Sequence, residues 1–171
     1  MVRKFARAAL AALVLSVATA SGAMAAATAK ATTKTATNPA TKPNLKLTPP
    51  RPVSSGKAPT ALKTIDIVKG TGTAVKVGCT ASMQYAGWTW EGAKEFDSSW
   101  SRGATPYPVE DVGNAAVIAG WNQGLVGMRV GGRRQIIIPP ALGYGASGAG
   151  DAIPPNATLI FVVDAVAVTC P

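Results

Sequence analysis

The sequence predicts an α+β domain, an antiparallel sheet of five or six strands wrapped around one short helix. Three observations lead there. Short apolar runs broken by glycine and proline recur from Leu62 to Val168, as strands joined by tight turns do. One run alternates strictly: Cys79, Ala81, Met83 and Tyr85 share one parity, and Thr80, Ser82, Gln84 and Ala86 the other. That is the period of a half-buried strand. A single stretch has helical spacing. Val117, Ile118, Trp121, Leu125 and Met128 form one apolar stripe that packs on a sheet.

Taken in order, residues 62–68 read as a first strand closed by Gly70 and Gly72. A long strand runs from Cys79 to Trp90 and turns at Glu91-Gly92-Ala93-Lys94. Glu95 to Ser98 is a short strand with Phe96 beside Asp97, and Tyr107 to Val112 returns to the sheet after a loop. Asn114 reads as the cap of the helix and Gly131-Gly132 as its end. Gly120, Gly124 and Gly127 lower its intrinsic propensity. An apolar strand from Gln135 to Ile138 stops at Pro139-Pro140, since proline cannot donate to a ladder. A glycine-rich loop follows with Tyr144 as its sole large side chain, then Ile153-Pro154-Pro155 and a long strand from Thr158. An aromatic on a loop pinned at both ends fits a pocket wall. A surface hairpin with an ordinary tyrosine fits the local pattern equally well.

Charge divides the chain. Seventeen Lys and Arg face eight Asp and Glu, a formal net charge of +9 over 171 residues. Arg3, Lys4 and Arg7 precede an apolar run over residues 8–20 and then Ala23-Met24-Ala25, so residues 1–25 read as a cleaved secretory signal peptide. Ser16, Thr19, Ser21 and Gly22 make that run too weakly apolar for a lasting membrane span. Residues 26–60 are Ala/Thr/Lys/Pro-rich and hold six basic residues, six prolines and no acid. With so little apolar surface to offset ordering entropy, they read as a disordered, partly polyproline-like linker. From residue 61 onward, eight basic residues match eight acidic ones. A neutral domain with its positive charge on a tether lacks the basic patch of a nucleic-acid-binding fold.

Composition also excludes chemistry. There is no histidine and there are two cysteines, Cys79 and Cys170. Ser–His and Cys–His nucleophiles and histidine-ligated metals are therefore out of reach, and no cofactor or metal is expected. In an oxidising compartment an isolated pair of cysteines is more often a disulfide than a site.

Five segments, QYAG (84–87), KEFDSS (94–99), PYPV (106–109), VIAGWNQGLVGMRVGGRRQIIIPPALGYG (117–145) and IPPNATLIFVV (153–163), resemble the FKBP family of peptidyl-prolyl cis-trans isomerases. Each is weak alone; their order and spacing together are specific and cover most of residues 62–170. The resemblance implies an FKBP-like sheet around a short helix, with a pocket between them. By position it implies catalytic roles for Tyr85, Phe96, Asp97, Ile118, Trp121, Tyr144 and Phe161, and substrate binding by Tyr107, Val117 and Ile153. In that scheme Trp121 is the floor and Tyr85, Phe96 and Phe161 are walls. The Ile118 backbone N–H and the Tyr144 hydroxyl donate towards a bound carbonyl. Val117, Trp121 and Phe161 would bury in any small α+β domain, and Asp97 could simply cap its loop through Ser98 or Arg102. The set points to a pocket more strongly than any one member does.

The implied reaction suits what composition leaves. Rotating an X–Pro amide needs no nucleophile or metal, only a lower barrier than the ~20 kcal/mol set by amide resonance. An acceleration of ~10⁴- to 10⁵-fold needs about 6 to 7 kcal/mol, and a dry aromatic pocket favours the less polar twisted amide. The chain departs from the family where Tyr107 replaces the usual phenylalanine, where Val109 stands near a usual second aromatic, and where Gly148-Ala149-Gly150 replaces a frequent histidine. The short loop to Ile153 leaves no room for an inserted chaperone domain.

The implied sheet also makes the strands of Cys79 and Cys170 antiparallel neighbours, which implies a disulfide. Parity objects. Cys79 lies six residues from Tyr85, on the same face, and Cys170 lies nine from Phe161, on the opposite face. A β-bulge in the last strand reconciles them. The expectation is an exported isomerase with its domain at residues 61–171, periplasmic or secreted, and monomeric. It would act on proline-containing segments of exported proteins and bind macrolide inhibitors such as tacrolimus. No nucleic acid and no stable membrane insertion after cleavage are expected. The alternatives are a non-catalytic proline-segment binder or holdase of the same fold, and a charge-tethered surface protein whose function lies in residues 26–60.

Overall fold

The structure, a computed structural model, describes residues 45–92 and 94–171. The expected signal peptide and residues 26–44 of the expected linker lie outside the described residues. Six strands form one antiparallel sheet: β1 (Lys63–Val68), β2 (Thr80–Thr89), β3 (Glu95–Ser98), β4 (Tyr107–Val109), β5 (Arg133–Ile138) and β6 (Leu159–Thr169). Their order is β1-β5-β6-β2-β3, with β4 also pairing with β2. One short helix, α1 (Ala119–Gly124), packs across the inner face, and a 3₁₀ turn (Pro140–Leu142) follows β5.

The central pair is β2 against β6, and its register settles the cysteine problem. Ser82 lies opposite Ala167 and Met83 opposite Ala165, so Val166 is an extra residue in β6. Before it, Phe161, Val163 and Ala165 face the core; after it, Val168 does. The bulge changes the parity of the strand end, which brings Cys170 onto the face of Cys79. The two are joined by a disulfide across 91 residues of sequence. One extra residue does what the parity argument required.

The helix is shorter than the apolar stripe predicts. Its N-cap position is Ile118, without a side-chain cap, and Asn114 lies in the preceding turn. That turn is held instead by Asn122, whose Oδ1 accepts from the Gly113 and Ala115 N–H groups at 3.0 and 3.1 Å. Its Nδ2 donates back to the Ala115 carbonyl at 2.9 Å. The glycines that weaken the helix are what let it dock. A Cβ on Gly120 would lie 2.4 Å from Ile138 Cγ2, and one on Gly124 2.8 Å from Ile136 Cγ2. Arg134 closes the far end: its guanidinium donates to the Gly124 and Val126 carbonyls at 2.8 and 3.0 Å and pairs with Asp66 at 2.6 Å. One cation therefore satisfies orphaned carbonyls at the helix end and ties α1 to β5 and β1.

Residues 45–60 depart from the expected linker. They form no strand or helix, yet Pro49 is buried. Arg51 and Ser54 donate to the Trp90 carbonyl at 2.9 and 2.6 Å. The Trp90 indole donates to the Gly56 carbonyl at 3.2 Å, and Arg133 donates to that of Leu47 at 3.1 Å. The boundary read at residue 61 leaves these contacts out. Composition missed them because the apolar surface that holds the segment belongs to the sheet and not to the segment.

Thiol titration of the denatured, unreduced chain should find no free thiol. Replacing both cysteines by serine should lower stability by about 2 to 4 kcal/mol in urea unfolding, the usual contribution of one disulfide.

Candidate active site

The inner face of β2 and β6 carries Tyr85 and Phe161, and α1 lays Trp121 over them. Gly87, opposite Phe161 in the register, makes room for the wall. A Cβ there would lie 2.7 Å from Phe161 and 2.8 Å from Phe96. The rings meet edge to face. Trp121 lies 5.1 Å from Tyr85 and 5.3 Å from Phe161, at interplanar angles of 84° and 85°. Phe96 stands 5.5 Å from Phe161 at 87°, and Tyr107 extends the box, 6.2 Å from Tyr85 and 6.3 Å from Trp121. Such pairs add about 0.5 to 1.5 kcal/mol each beyond burial and fix ring orientation.

These rings enclose a cavity of about 230 Å³, lined by Tyr85, Phe96, Asp97, Tyr107, Ala116, Val117, Ile118, Trp121, Tyr144 and Phe161. It is smaller than the roughly 300–1,000 Å³ common for drug-sized ligands and matches a single residue. Nine of the ten residues assigned from sequence meet here. Ile153 does not; it is buried in the core beside the pocket, and its N–H and carbonyl pair with those of Ala149 at 3.2 and 2.9 Å. That exchange closes the base of the Tyr144 loop. Ala116 was missed, since a methyl group ahead of the Val117 motif carries no chemical signal. Val109, one of the weak points of the implied wall, is core on β4, and Tyr107 alone of that strand reaches the mouth. Larger concavities exist, including one of about 700 Å³, but none of these is walled by stacked rings.

The polar groups sort into held and free. The Tyr85 hydroxyl donates to Asp97 at 2.6 Å. Asp97 is also ion-paired with Arg102, whose guanidinium donates to the Tyr85 hydroxyl and lies 5.6 Å from that ring's centroid. Asp97 is thus engaged in orienting Tyr85. Burial, then the bond to Asp97, pushes the Tyr85 phenol up to about 12. Burial and the nearby Asp97 also raise the Tyr144 phenol. Both phenols stay neutral donors at ordinary pH. The Ile118 N–H and the Tyr144 hydroxyl have no protein partner among the described residues, and both border the cavity. The Trp121 indole N–H is buried and likewise unpartnered.

A sheet closed over one short helix, with a small aromatic pocket between them, is the arrangement that the FKBP resemblance implies. The profile of the FKBP-type peptidyl-prolyl cis-trans isomerase family matches residues 71–166, and the chain belongs to that family. It is 48% identical over 114 residues to an FK506-binding protein of Streptomyces anulatus, covering 66% of this chain and 90% of that one. Among solved structures it resembles AtFKBP13, with a TM-score of 0.58 and 35% identity over 66% of this chain and 96% of that one. It also resembles a peptidyl-prolyl cis-trans isomerase of Pseudomonas syringae pv. tomato, with a TM-score of 0.55 and 30% identity over 63% and 75%.

The raised Tyr85 phenol has a measurable consequence. In the unfolded chain a tyrosine ionises near pH 10, so the unfolded state loses its proton first as pH rises. The stability linked to Tyr85 is complete below about pH 10 and is lost as pH climbs towards about 12. Urea unfolding followed from pH 9 to 12 should show this decline, and Tyr85→Phe should remove much of it.

Proposed function

We propose that this chain is an exported peptidyl-prolyl cis-trans isomerase that turns X–Pro bonds in other exported proteins. The observation that carries the reading is the 230 Å³ aromatic cavity with the unpartnered Ile118 N–H and Tyr144 hydroxyl on its edge. A proline ring seats against Trp121 between Tyr85, Phe96 and Phe161, out of water. The planar amide is the more polar form, so removing its solvent disfavours it relative to the twisted one. As the amide twists, its carbonyl turns to where the Ile118 N–H and the Tyr144 hydroxyl can donate. Donors fixed in advance cost no reorganisation at the barrier. Asp97 and Arg102 act on Tyr85 and keep its ring upright.

Export is supported by the basic, apolar and Ala-Met-Ala pattern of residues 1–25, and the disulfide suits an oxidising compartment such as the periplasm. A monomer suffices for this activity, a reading supported by a pocket lined within one copy. An FK506-type macrolide seats one residue-sized part of its ring in the same cavity, macrolide binding being what the names of the relatives say of those proteins.

A proline-isomerisation assay on a short apolar-X–Pro peptide tests the proposal. The mature chain should accelerate the reaction and tacrolimus should abolish the gain. Tyr144→Phe should lower kcat/KM about three- to tenfold, the loss of one hydrogen bond made at the barrier. Trp121→Ala should remove most activity. Absence of catalysis by the folded chain, with peptide still bound, would favour a non-catalytic binder of the same fold.

A further inference from the structure

The sheet has a second apolar face. Alternation places Ala86 and Trp88 of β2 and Val162 of β6 opposite the helix, where they form a buried cluster apart from the main core. Residues 47–56 cross this face, and they are proline-rich: Thr48-Pro49-Pro50-Arg51-Pro52-Val53. Between them and the sheet lies a cavity of about 550 Å³, lined on one side by the segment itself and on the other by Ile67, Arg133, Gln135 and Val162. Val53 is 91% exposed and Ile67 43% exposed, so the cavity is open to solvent.

The segment is held by bonds to the carbonyls that flank its prolines, Leu47 and Gly56, and by its own Arg51 and Ser54. Proline has no N–H, so an extended run of prolines offers carbonyls only. The domain supplies the donors: Arg133 reaches the Leu47 carbonyl at 3.1 Å and the Trp90 indole reaches that of Gly56 at 3.2 Å. Arg133 is held for this by a two-bond pair with Asp164 at 2.6 and 2.7 Å, both side chains no more than 5% exposed. In return Arg51 and Ser54 donate to the Trp90 carbonyl. Apolar surface, carbonyl-directed donors and one acceptor for an arginine are the parts used in recognising preformed proline-rich segments.

We propose that the outer face is a second proline-segment-binding surface, distinct from the helix-side pocket, and that residues 47–56 are its resident ligand in cis. Its partner is an extended, arginine-bearing, proline-rich segment of another polypeptide. The short connection from Gly56 to β1 holds the resident segment at an effective concentration on the order of millimolar. A partner therefore enters when the strap is loosened. The inference is independent of isomerase activity.

The test uses the full chain and a fluorescent peptide of residues 45–60. Arg51→Ala with Ser54→Ala removes the strap's own donors. The peptide should bind this variant at least tenfold more tightly than the unaltered chain, and saturating tacrolimus should not compete. Adding Ile67→Glu should weaken binding at least fivefold, and so should replacing the peptide's prolines by alanine. Equal affinity for both chains would overturn the proposal, as would competition by tacrolimus, or no binding to a variant whose strap has become cleavable at Lys46 or Lys57. A strap that stays protease-resistant in the double variant would also overturn it, because the ligand would then not be exchangeable.

Discussion

The pairing of β2 with β6 is the constraint on which the rest depends. Ten residues of β2 are matched across it, and a single bulge at Val166 changes parity near its end. Upstream of the bulge, the register sets Phe161 against Gly87 and leaves Tyr85 on the same face. Downstream, it brings Cys170 to Cys79. A one-residue slip would turn the aromatic walls to the outside and separate the cysteines. The disulfide and the pocket therefore report on the same register from opposite ends of one strand pair.

Around that pair, function arises from packing more than from reactive groups. The glycines at 120 and 124 bring the helix close to Ile138 and Ile136, and this closeness lowers Trp121 onto the inner face. Arg134 fixes the helix end to two strands. Asp97 and Arg102 are engaged with one another and with Tyr85, so the one carboxylate on the cavity wall orients the ring beside it. What remains unpaired at the cavity are neutral donors. A twisting amide is served by such a site, since its demand is for fixed geometry and exclusion of water.

Much of this was legible in the sequence, and the failures have physical reasons. Strand β2 announced itself through alternation, and β6 through its long apolar run. The pocket residues were placed by motif, because Tyr85, Phe96, Trp121 and Phe161 are large side chains at characteristic spacings. The start of α1 was misread because Asn114 looks like a cap, whereas Asn122, inside the helix, takes up the loop's N–H groups. Ile153 carries the right motif but faces the core. The strap was the largest omission. Prolines with few large apolar neighbours resemble a linker in sequence, and only the outer face of a sheet assembled later in the chain gives them something to hold. The expected signal peptide, residues 26–44 of the expected linker and Ala93 of the expected turn lie outside the described residues.

The proposed catalysis requires a proline ring to sit on Trp121 between Tyr85 and Phe161. Nuclear Overhauser contacts between a labelled X–Pro peptide and the folded chain test it most directly. Contacts are expected from the proline ring protons to the Trp121 indole, together with shifts at Tyr85, Tyr144 and Phe161. Proline contacts confined to Trp88, Ile67 and Val162 on the outer face, with the Trp121 resonances unmoved, would contradict that seating.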